Sequence, residues 1–335
     1  MLTTFLVILT ALLLDRVLGE PRKWHPLVLF GQFASRLETR WNHDHSSRWH
    51  GVVAWCLSVG LITLAAGIIG AMLTGVSELM GAVVATVVLY LCIGWQSLKE
   101  HMLAIYRPLD EDNLSTARQA CARVVSRDTD NLSAEEIAKA AVESTLENGN
   151  DGIFAALFWF ALLGVPGVIL YRLSNTLDAM WGYRTDRFRQ FGWWSARADD
   201  ALNWIPARIT ALLYCFSPLL PAAPWSPVDT DAQTAVQHDK PDPLLLMKAA
   251  WRHWQKQAPM LSSPNGGPVM VSGATVLDLR LGGPASYHDT RVEKPFFGGH
   301  QPPVASDIPR ALQLVQTTLL YWVPVATALS LLGYP

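Results

Sequence analysis

Charge is scarce in this chain. Of its 335 residues only 16% are Asp, Glu, Lys or Arg, where soluble globular domains carry about 25%. That deficit argues against an ordinary water-soluble domain, and an apolar content of 50% argues against a disordered one. No strong field of either sign is present: the net charge is −2, too weak to gather nucleic acid. Cysteine is also sparse. There are four, none in C-x-x-C spacing, which excludes a disulfide scaffold and a zinc ribbon. The phosphate-binding patterns G-x-x-x-x-G-K-[ST] and G-x-G-x-x-G are missing, and no fixed-period repeat is evident. With a mean hydropathy of +0.20, what remains is a membrane protein with a substantial polar part.

Long apolar runs supply the rest of that reading. A bilayer core of roughly 30 Å needs about 20 apolar residues in a helix. Runs free of Asp, Glu, Lys and Arg cover 1–14, 51–77, 79–98, 152–171, 209–228 and 311–335. The first lacks a basic leader and a small-residue cleavage site and reads as an uncleaved anchor. The fourth is interrupted by Gly164-Val165-Pro166-Gly167, which favours a break or hairpin, and the fifth decays into Ser217-Pro218-Leu219-Leu220-Pro221. The polar segments 15–50, 99–151, 172–208 and 229–310 hold all 26 basic residues. If the fourth and fifth runs both crossed the bilayer, segment 172–208 would carry six arginines outward, against the positive-inside rule. They are therefore expected to re-enter, or to lie buried against other helices, which leaves Lys99 to Arg310 as one cytoplasm-facing unit.

The expected architecture is mainly α: a polytopic α-helical integral membrane protein with a cytoplasmic-facing helical and loop-rich portion. Its parts are N-terminal transmembrane helices with a cytoplasmic loop (1–98), a helical core with membrane-embedded or re-entrant segments (99–217), a linker with a Gly/Pro-rich segment (218–310), and a C-terminal transmembrane helix (311–335). The linker falls at Pro218–Pro243, and Ser262–Pro309 reads as helix-poor loops. Cys56, Cys92 and Cys215 lie in apolar runs and read as buried hydrophobes. Trp181, Trp193 and Trp194 fit an interfacial aromatic belt.

Three polar patches border the apolar runs. Ser133-Ala134-Glu135-Glu136 is a capping box opening a helix to about Asn148. On it Glu143 and Glu147 share a face at i, i+4, with Asn148 and Asp151 at its end. Arg172, Asn175 and Asp178 leave the fourth run, Asn175 and Asp178 three apart. Ser195 to Asn203 then sets Asp199 and Asp200 at i, i+4 and i, i+3 to Asn203, flanked by Arg197 and Arg208, with Pro206 ending or kinking that helix. Hard oxygen ligands on adjacent turns suit Mg²⁺, which often uses one or two carboxylates plus a substrate phosphate. Glycine-rich turns at Asn265-Gly266-Gly267, Gly282-Gly283 and Gly298-Gly299 let backbone N–H groups approach a phosphate, although taken alone they are ordinary turns. His25, in Trp24-His25-Pro26, reads equally as a ligand or as a capping histidine. His43-Asp44-His45 reads as a solvated loop. Unaided, these residues describe a membrane-embedded enzyme with a carboxylate–Asn–Arg site for a metal-assisted reaction of a phosphate-bearing substrate.

The same residues resemble the CobD/CbiB family, nearly end to end. The likeness runs from Asp15, Gly19-Glu20-Pro21, His25-Pro26 and Gly31 through Arg127-Asp128-Thr129, Glu143-Ser144, Glu147-Asn148 and Asp151-Gly152. It continues in Tyr171-Arg172, Asn175 to Tyr183, Ala196-Arg197, Asp199-Asp200, Asn203 and Pro206-Ala207-Arg208. It ends in Ser263-Pro264-Asn265, Leu281-Gly282-Gly283-Pro284, Tyr287 and Glu293-Lys294-Pro295. Glu20, Gly149-Asn150 and Ala156 depart from the family's usual residues, each beside a motif position.

The resemblance implies an adenosylcobinamide-phosphate synthase of cobalamin biosynthesis, a ligase forming a carbon–nitrogen bond in the cell inner membrane with its site facing the cytoplasm. ATP and Mg²⁺ would drive amide formation between a propionate of adenosylcobyric acid and the amine of (R)-1-aminopropan-2-ol phosphate. On this view Glu143, Glu147, Asp199 and Asp200 hold Mg²⁺, and Arg197, Arg208 and Lys294 bind phosphate oxygens. Asp151 or Asp178 takes the amine proton. Asn148, Asn175 and Asn203 orient substrate amides, with His25 and Asn265 also on the substrate. Implied partners are the two substrates and the lipid bilayer, with a second copy or other cobalamin-assembly membrane enzymes as candidate associates and no nucleic acid. The competing readings are a UbiA-like Mg²⁺-dependent prenyltransferase and a non-enzymatic AmpE-like signalling or transport protein.

Overall fold

The computed structural model describes residues 2–21, 25–43, 47–220, 242–287 and 290–333. Most of Pro218–Pro243, together with Trp24, Asp44 and His45, lies outside the described residues. The helices are α1 (Leu2–Leu18), α2 (Pro26–Trp41), α3 (Arg48–Trp55), α4 (Leu61–Val76), α5 (Glu78–Cys92), α6 (Trp95–Asp110), α7 (Leu114–Cys121), α8 (Ala134–Gly149), α9 (Ala155–Trp181) and α10 (Trp193–Phe216). They continue as α11 (Pro243–Gln257), α12 (Gly266–Val276) and α13 (Asp307–Gly333). Four short strands, β1 (Arg280–Gly282), β2 (Ala285–Tyr287), β3 (Thr290–Val292) and β4 (Phe296–Gly298), form two antiparallel pairs, β1 with β4 and β2 with β3.

Among the described residues, four helical stretches are long and apolar enough to cross a membrane: Arg48–Val76, Glu78–Asp110, Ala134–Trp181 and Asp307–Leu332. The chain is thus a mainly α membrane protein. The first stretch is α3 and α4 joined by a π turn at Cys56–Gly60. Its apolar side chains face outward, among them Leu61, Leu64, Ile68, Ile69 and Met72, the signature of a lipid-facing surface. Cys56 is exposed on the same helix, not buried, because a membrane helix turns its apolar surface out.

The third stretch does not run straight. Gly164 has φ 64° and ψ −145°, which breaks the helix inside α9. A Cβ on Gly167 would lie 2.2 Å from the Trp159 carbonyl oxygen, whereas eight residues of straight helix would separate them by about 12 Å. The fourth apolar run is therefore a helical hairpin. Its two arms meet at Gly164, the first running on from α8 through the π turn Asn150–Phe154 and the second ending at Trp181. The break at Gly164-Val165-Pro166-Gly167 is where the sequence places it: glycine tolerates the backbone conformation that other residues avoid.

The chain forms two compact units. Unit 1 holds Met1–Ser97, Asp151–Pro206 and Val323–Pro335; unit 2 holds Leu98–Asn150 and Ala207–Trp322. In unit 1, α1 packs on α5, α4 on α5, and both α4 and α5 on α9. Its core includes Phe30, Ala34, Ala54, Val59, Leu173, Leu177 and Phe191 around Trp181. Trp181 and Phe191 meet edge-on with centroids 4.9 Å apart. Trp181 is a core residue, 1% exposed, rather than part of an interfacial belt.

In unit 2, α12 packs against α8, α11 and β4. This corrects the reading of Ser262–Pro309 as helix-poor loops at Gly266–Val276, which is a helix; the described residues from there to α13 carry only short strands. Gly-Gly-Pro is a poor helix former, yet Pro268 sits in the first turn, where its missing N–H costs little. Gly273 also lets Leu146 of α8 come close, since a Cβ there would be 2.6 Å from Leu146 Cδ2. Burial of this apolar helix overrides its propensity. Pro206 likewise does not end its helix; α10 continues through it.

Candidate functional site

The capping box starts α8 as its spacing predicts. Ser133 N–H donates to Glu136 Oε2 at 2.8 Å, and Glu136 N–H to Ser133 Oγ at 3.3 Å. The helix then carries Glu143, Ser144, Glu147 and Asn148 into a cleft of about 450 Å³ in unit 2, which Arg127, Ser263 and Lys294 also line. Glu143 is buried. One carboxylate oxygen pairs with the Arg127 guanidinium, and the other accepts the Gly282 N–H at 2.8 Å. Gly282 has φ 77°, and a Cβ there would meet the Pro295 carbonyl at 2.3 Å, so the turn that offers this N–H requires glycine. Glu143 therefore holds the cleft wall together.

Glu147 lies beside the start of α12: a Cβ on Gly266 would be 2.6 Å from its Oε1. A carboxylate there is favoured by the positive end of the helix dipole. Asn148 donates to the Ser144 carbonyl at 2.9 Å and to its hydroxyl at 3.0 Å. Asn265, the N-cap residue of α12, accepts from Arg208 at 2.5 Å, and Arg208 also donates to the Pro264 carbonyl at 2.9 Å. Burial lowers the Arg208 pKa. The two residues expected to bind substrate thus bind each other.

Unit 1 holds a second polar cluster, built where the arms of the α9 hairpin come together. Asp199 is buried on α10 and accepts from Asn175 Nδ2 at 3.1 Å and from Asn203 Nδ2 at 3.0 Å. Its pKa is raised to about 6: burial disfavours the charge, the two amide hydrogen bonds oppose that, and the neighbouring Asp200 carboxylate adds to it. Tyr171 lies within hydrogen-bond range of Asn203 Oδ1 (3.0 Å) and of the Asp151 carbonyl (2.9 Å). Among the described residues Arg172 reaches only long contacts, 3.4 Å to the Asp151 carbonyl and 3.5 Å to Asn175 Oδ1, and its buried Nε finds no hydrogen-bond partner.

The other expected residues of unit 1 sit at the cluster's margins. Asp200 is half-buried, its pKa raised by burial, and Arg197 lies 3.8 Å away on the exposed side. Asp178 accepts the Gly182 N–H at its backbone carbonyl, and its carboxylate covers Gly182, where a Cβ would be 2.0 Å from Oδ1. His25 caps α2, its Nδ1 accepting the Leu27 N–H at 3.2 Å, and burial lowers its pKa, against the raising effect of Glu20.

The four acids expected to hold a cation divide between the units, Glu143 and Glu147 in one and Asp199 and Asp200 in the other. Among the described residues no three His, Cys, Asp or Glu side chains gather as metal ligands. Mg²⁺ does not require such a cage; one or two carboxylates with substrate phosphate and water suffice. Sequence spacing passed over Arg127, Tyr171 and Asp15 as site residues. Arg127 meets its partner across 16 positions and Tyr171 meets Asn203 across 32. Asp15, which accepts the Gln96 N–H at 2.9 Å, does so across 81. Helical periodicity does not register such separations.

The chain matches the CobD/Cbib protein family over residues 8–315. It belongs to the CobD/CbiB family. A cobalamin biosynthesis protein CobD of Stutzerimonas stutzeri is 44% identical over 326 residues, 97% of each chain. One of Chromobacterium violaceum is 41% identical over 335 residues, 96% of this chain and 95% of the relative. One of Mycobacterium tuberculosis is 35% identical over 309 residues, 92% and 90%. No solved structure matches. Membership in CobD/CbiB removes the UbiA-like prenyltransferase reading, and it covers both polar clusters, since each lies within the matched residues.

Proposed function

We propose that this CobD/CbiB member works in cobalamin biosynthesis as an adenosylcobinamide-phosphate synthase. It would ligate (R)-1-aminopropan-2-ol phosphate to a propionate of adenosylcobyric acid, consuming ATP and releasing ADP and phosphate. The observation that carries this is the cleft on α8, where Arg127, Glu143, Glu147 and Lys294 meet in a chain of that family.

The chemistry suits these groups. A carboxylate is a poor acyl donor because its leaving group would be oxide. Attack of a propionate oxygen on the γ-phosphorus of ATP, with release of ADP, gives an acyl phosphate. Attack of the amine nitrogen on the acyl carbon then expels phosphate and forms the amide. The cations of the cleft, Arg127 and Lys294, would hold phosphate oxygens, with Arg208 and Arg197 as further phosphate contacts. Glu147, with Glu143 behind it, and Asp199 with Asp200 are the acids suited to Mg²⁺, which when bound neutralises charge on the transferring phosphate. Asp151 or Asp178 would accept the proton that the amine sheds. Asn148, Asn175 and Asn203 would orient the many amides of the corrin periphery, with His25 and Asn265 as further contacts. A multi-pass protein of the inner membrane with this site on the cytoplasmic side would place it where ATP is available and where the basic segments belong.

Membranes holding the full chain, supplied with adenosylcobyric acid, the aminoalcohol phosphate, ATP and Mg²⁺, are expected to yield the amide by mass spectrometry and nothing when ATP is withheld. With ¹⁸O in the substrate carboxylate, one label should appear in the released phosphate. Correctly inserted protein that makes no amide would overturn the synthase reading; unlabelled phosphate would overturn the acyl phosphate alone.

A further inference from the structure

We propose that α11 lies on the surface of an anionic bilayer, with its outer apolar side chains among the acyl chains and its cations at the headgroups. This does not depend on the reaction assigned above. The helix reads Pro-Leu-Leu-Leu-Met-Lys-Ala-Ala-Trp-Arg-His-Trp-Gln-Lys-Gln and contains no acidic residue. One face is fixed to the fold. Ala250 is buried, His253 Nδ1 lies 3.1 Å from Thr275 Oγ1 of α12, and Gln257 Oε1 accepts the Gly298 N–H of β4 at 2.8 Å.

The opposite face is open. Leu244 is 51% exposed, Leu245 63% and Trp251 42%, and Lys248, Arg252 and Lys256 stand exposed among them. At 100° per residue these six share one side of the helix, away from Ala250, His253 and Gln257. The 3₁₀ turn Ser217–Leu219 packs on α11, and Phe216 and Leu219 there are also exposed. Large apolar side chains in contact with water are costly, and a contiguous patch of them marks an interaction surface. Within the helix the charge interleaved with it is all positive; the N-cap residue Asp242 is acidic and is engaged by the Leu244 N–H at 2.9 Å. That pairing of Leu and Trp with Lys and Arg fits a surface that is apolar below and anionic above, as at the headgroup boundary of a bilayer containing acidic lipid. The same chain carries helices long and apolar enough to cross a membrane, so docking of α11 is tethered and even a weak contact is effective.

The test uses full-length protein carrying Cys56→Ser and Leu245→Cys, labelled at the new thiol with an environment-sensitive dye. It is placed in nanodiscs of phosphatidylcholine, with or without about one-third phosphatidylglycerol. Lipids bearing a nitroxide near the headgroup should quench the dye, about twofold more strongly in the anionic discs. Lys248→Glu, Arg252→Glu and Lys256→Glu together should bring quenching down to the neutral-disc level. Trp251→Ala, which keeps every charge, should weaken it in both. Equal quenching in the two discs overturns the proposal, as does a dye shielded by a second copy of the chain in cross-linked dimers.

Discussion

The Tyr171 hydroxyl donates to the Asp151 carbonyl oxygen at 2.9 Å, although twenty positions separate the two residues. In a straight helix they would stand about 30 Å apart. The contact exists because the chain reverses at Gly164, and it closes the open end of the hairpin against α10 through Asn203. The hairpin thereby places Asn175 on the Asp199 carboxylate.

Tyr171→Phe keeps the packing of the ring but removes the one hydroxyl proton, which the Asp151 carbonyl accepts. Such a loss costs about 1–3 kcal/mol. A lower thermal unfolding temperature in detergent, with unchanged helix content by circular dichroism, is the expected result. An unchanged unfolding temperature would show that the hydroxyl contributes no stability.

Gly164→Ala tests the turn itself. Nothing lies within 4 Å of a Cβ built there, so crowding is not the issue. The backbone at φ 64° and ψ −145° is one that a side chain tolerates only at a cost of about 1–3 kcal/mol. Reduced stability should therefore appear without any steric clash. Gly167→Val, which drives into the Trp159 carbonyl, should be worse, measured as yield of folded protein.

The charged groups of the cleft should separate in their effects. Arg127→Met leaves the Glu143 carboxylate buried with only the Gly282 N–H, and removing one partner of a buried pair costs about 3–5 kcal/mol. It should lower both stability and turnover. Glu147→Gln should cost stability less than Arg127→Met does, about 1 kcal/mol for the charge lost at the start of α12, and cut formation of the amide by about 100-fold or more. Amide formation at the wild-type rate by Glu147→Gln would remove this residue from the mechanism.

Asp199 makes stability depend on acid. Its ordinary value is 3.8 and the folded chain raises it to about 6. Between those values the folded state binds the proton and the unfolded state does not, so stability falls as pH rises from about 4 to 6. Asp199→Asn should remove that slope. The check is chemical denaturation of both proteins across the window, and parallel curves would contradict the burial argument.

Much of this molecule is set by local sequence. The capping box of α8, the shared face of Glu143 and Glu147, the apolar runs and the break at Gly164 are all short-range features. Capping chemistry, helical period and the backbone freedom of glycine act within a few residues, so a linear reading reaches them. The family motifs likewise lie in contiguous stretches, from Glu143-Ser144 to Ala207-Arg208.

What only the tertiary structure decided is how each polar side chain is engaged. Glu143 takes Arg127 and a glycine N–H, Arg208 takes Asn265, and Asp199 takes two amides. Each partner comes from a separate stretch of the chain, brought close by the burial of apolar surface. The same burial made α12 a helix despite Gly266-Gly267-Pro268 and carried α10 through Pro206. Packing free energy sums over many residues and outweighs a local preference of about 1 kcal/mol for glycine or about 3 kcal/mol for proline, and that sum exists only once the chain has folded.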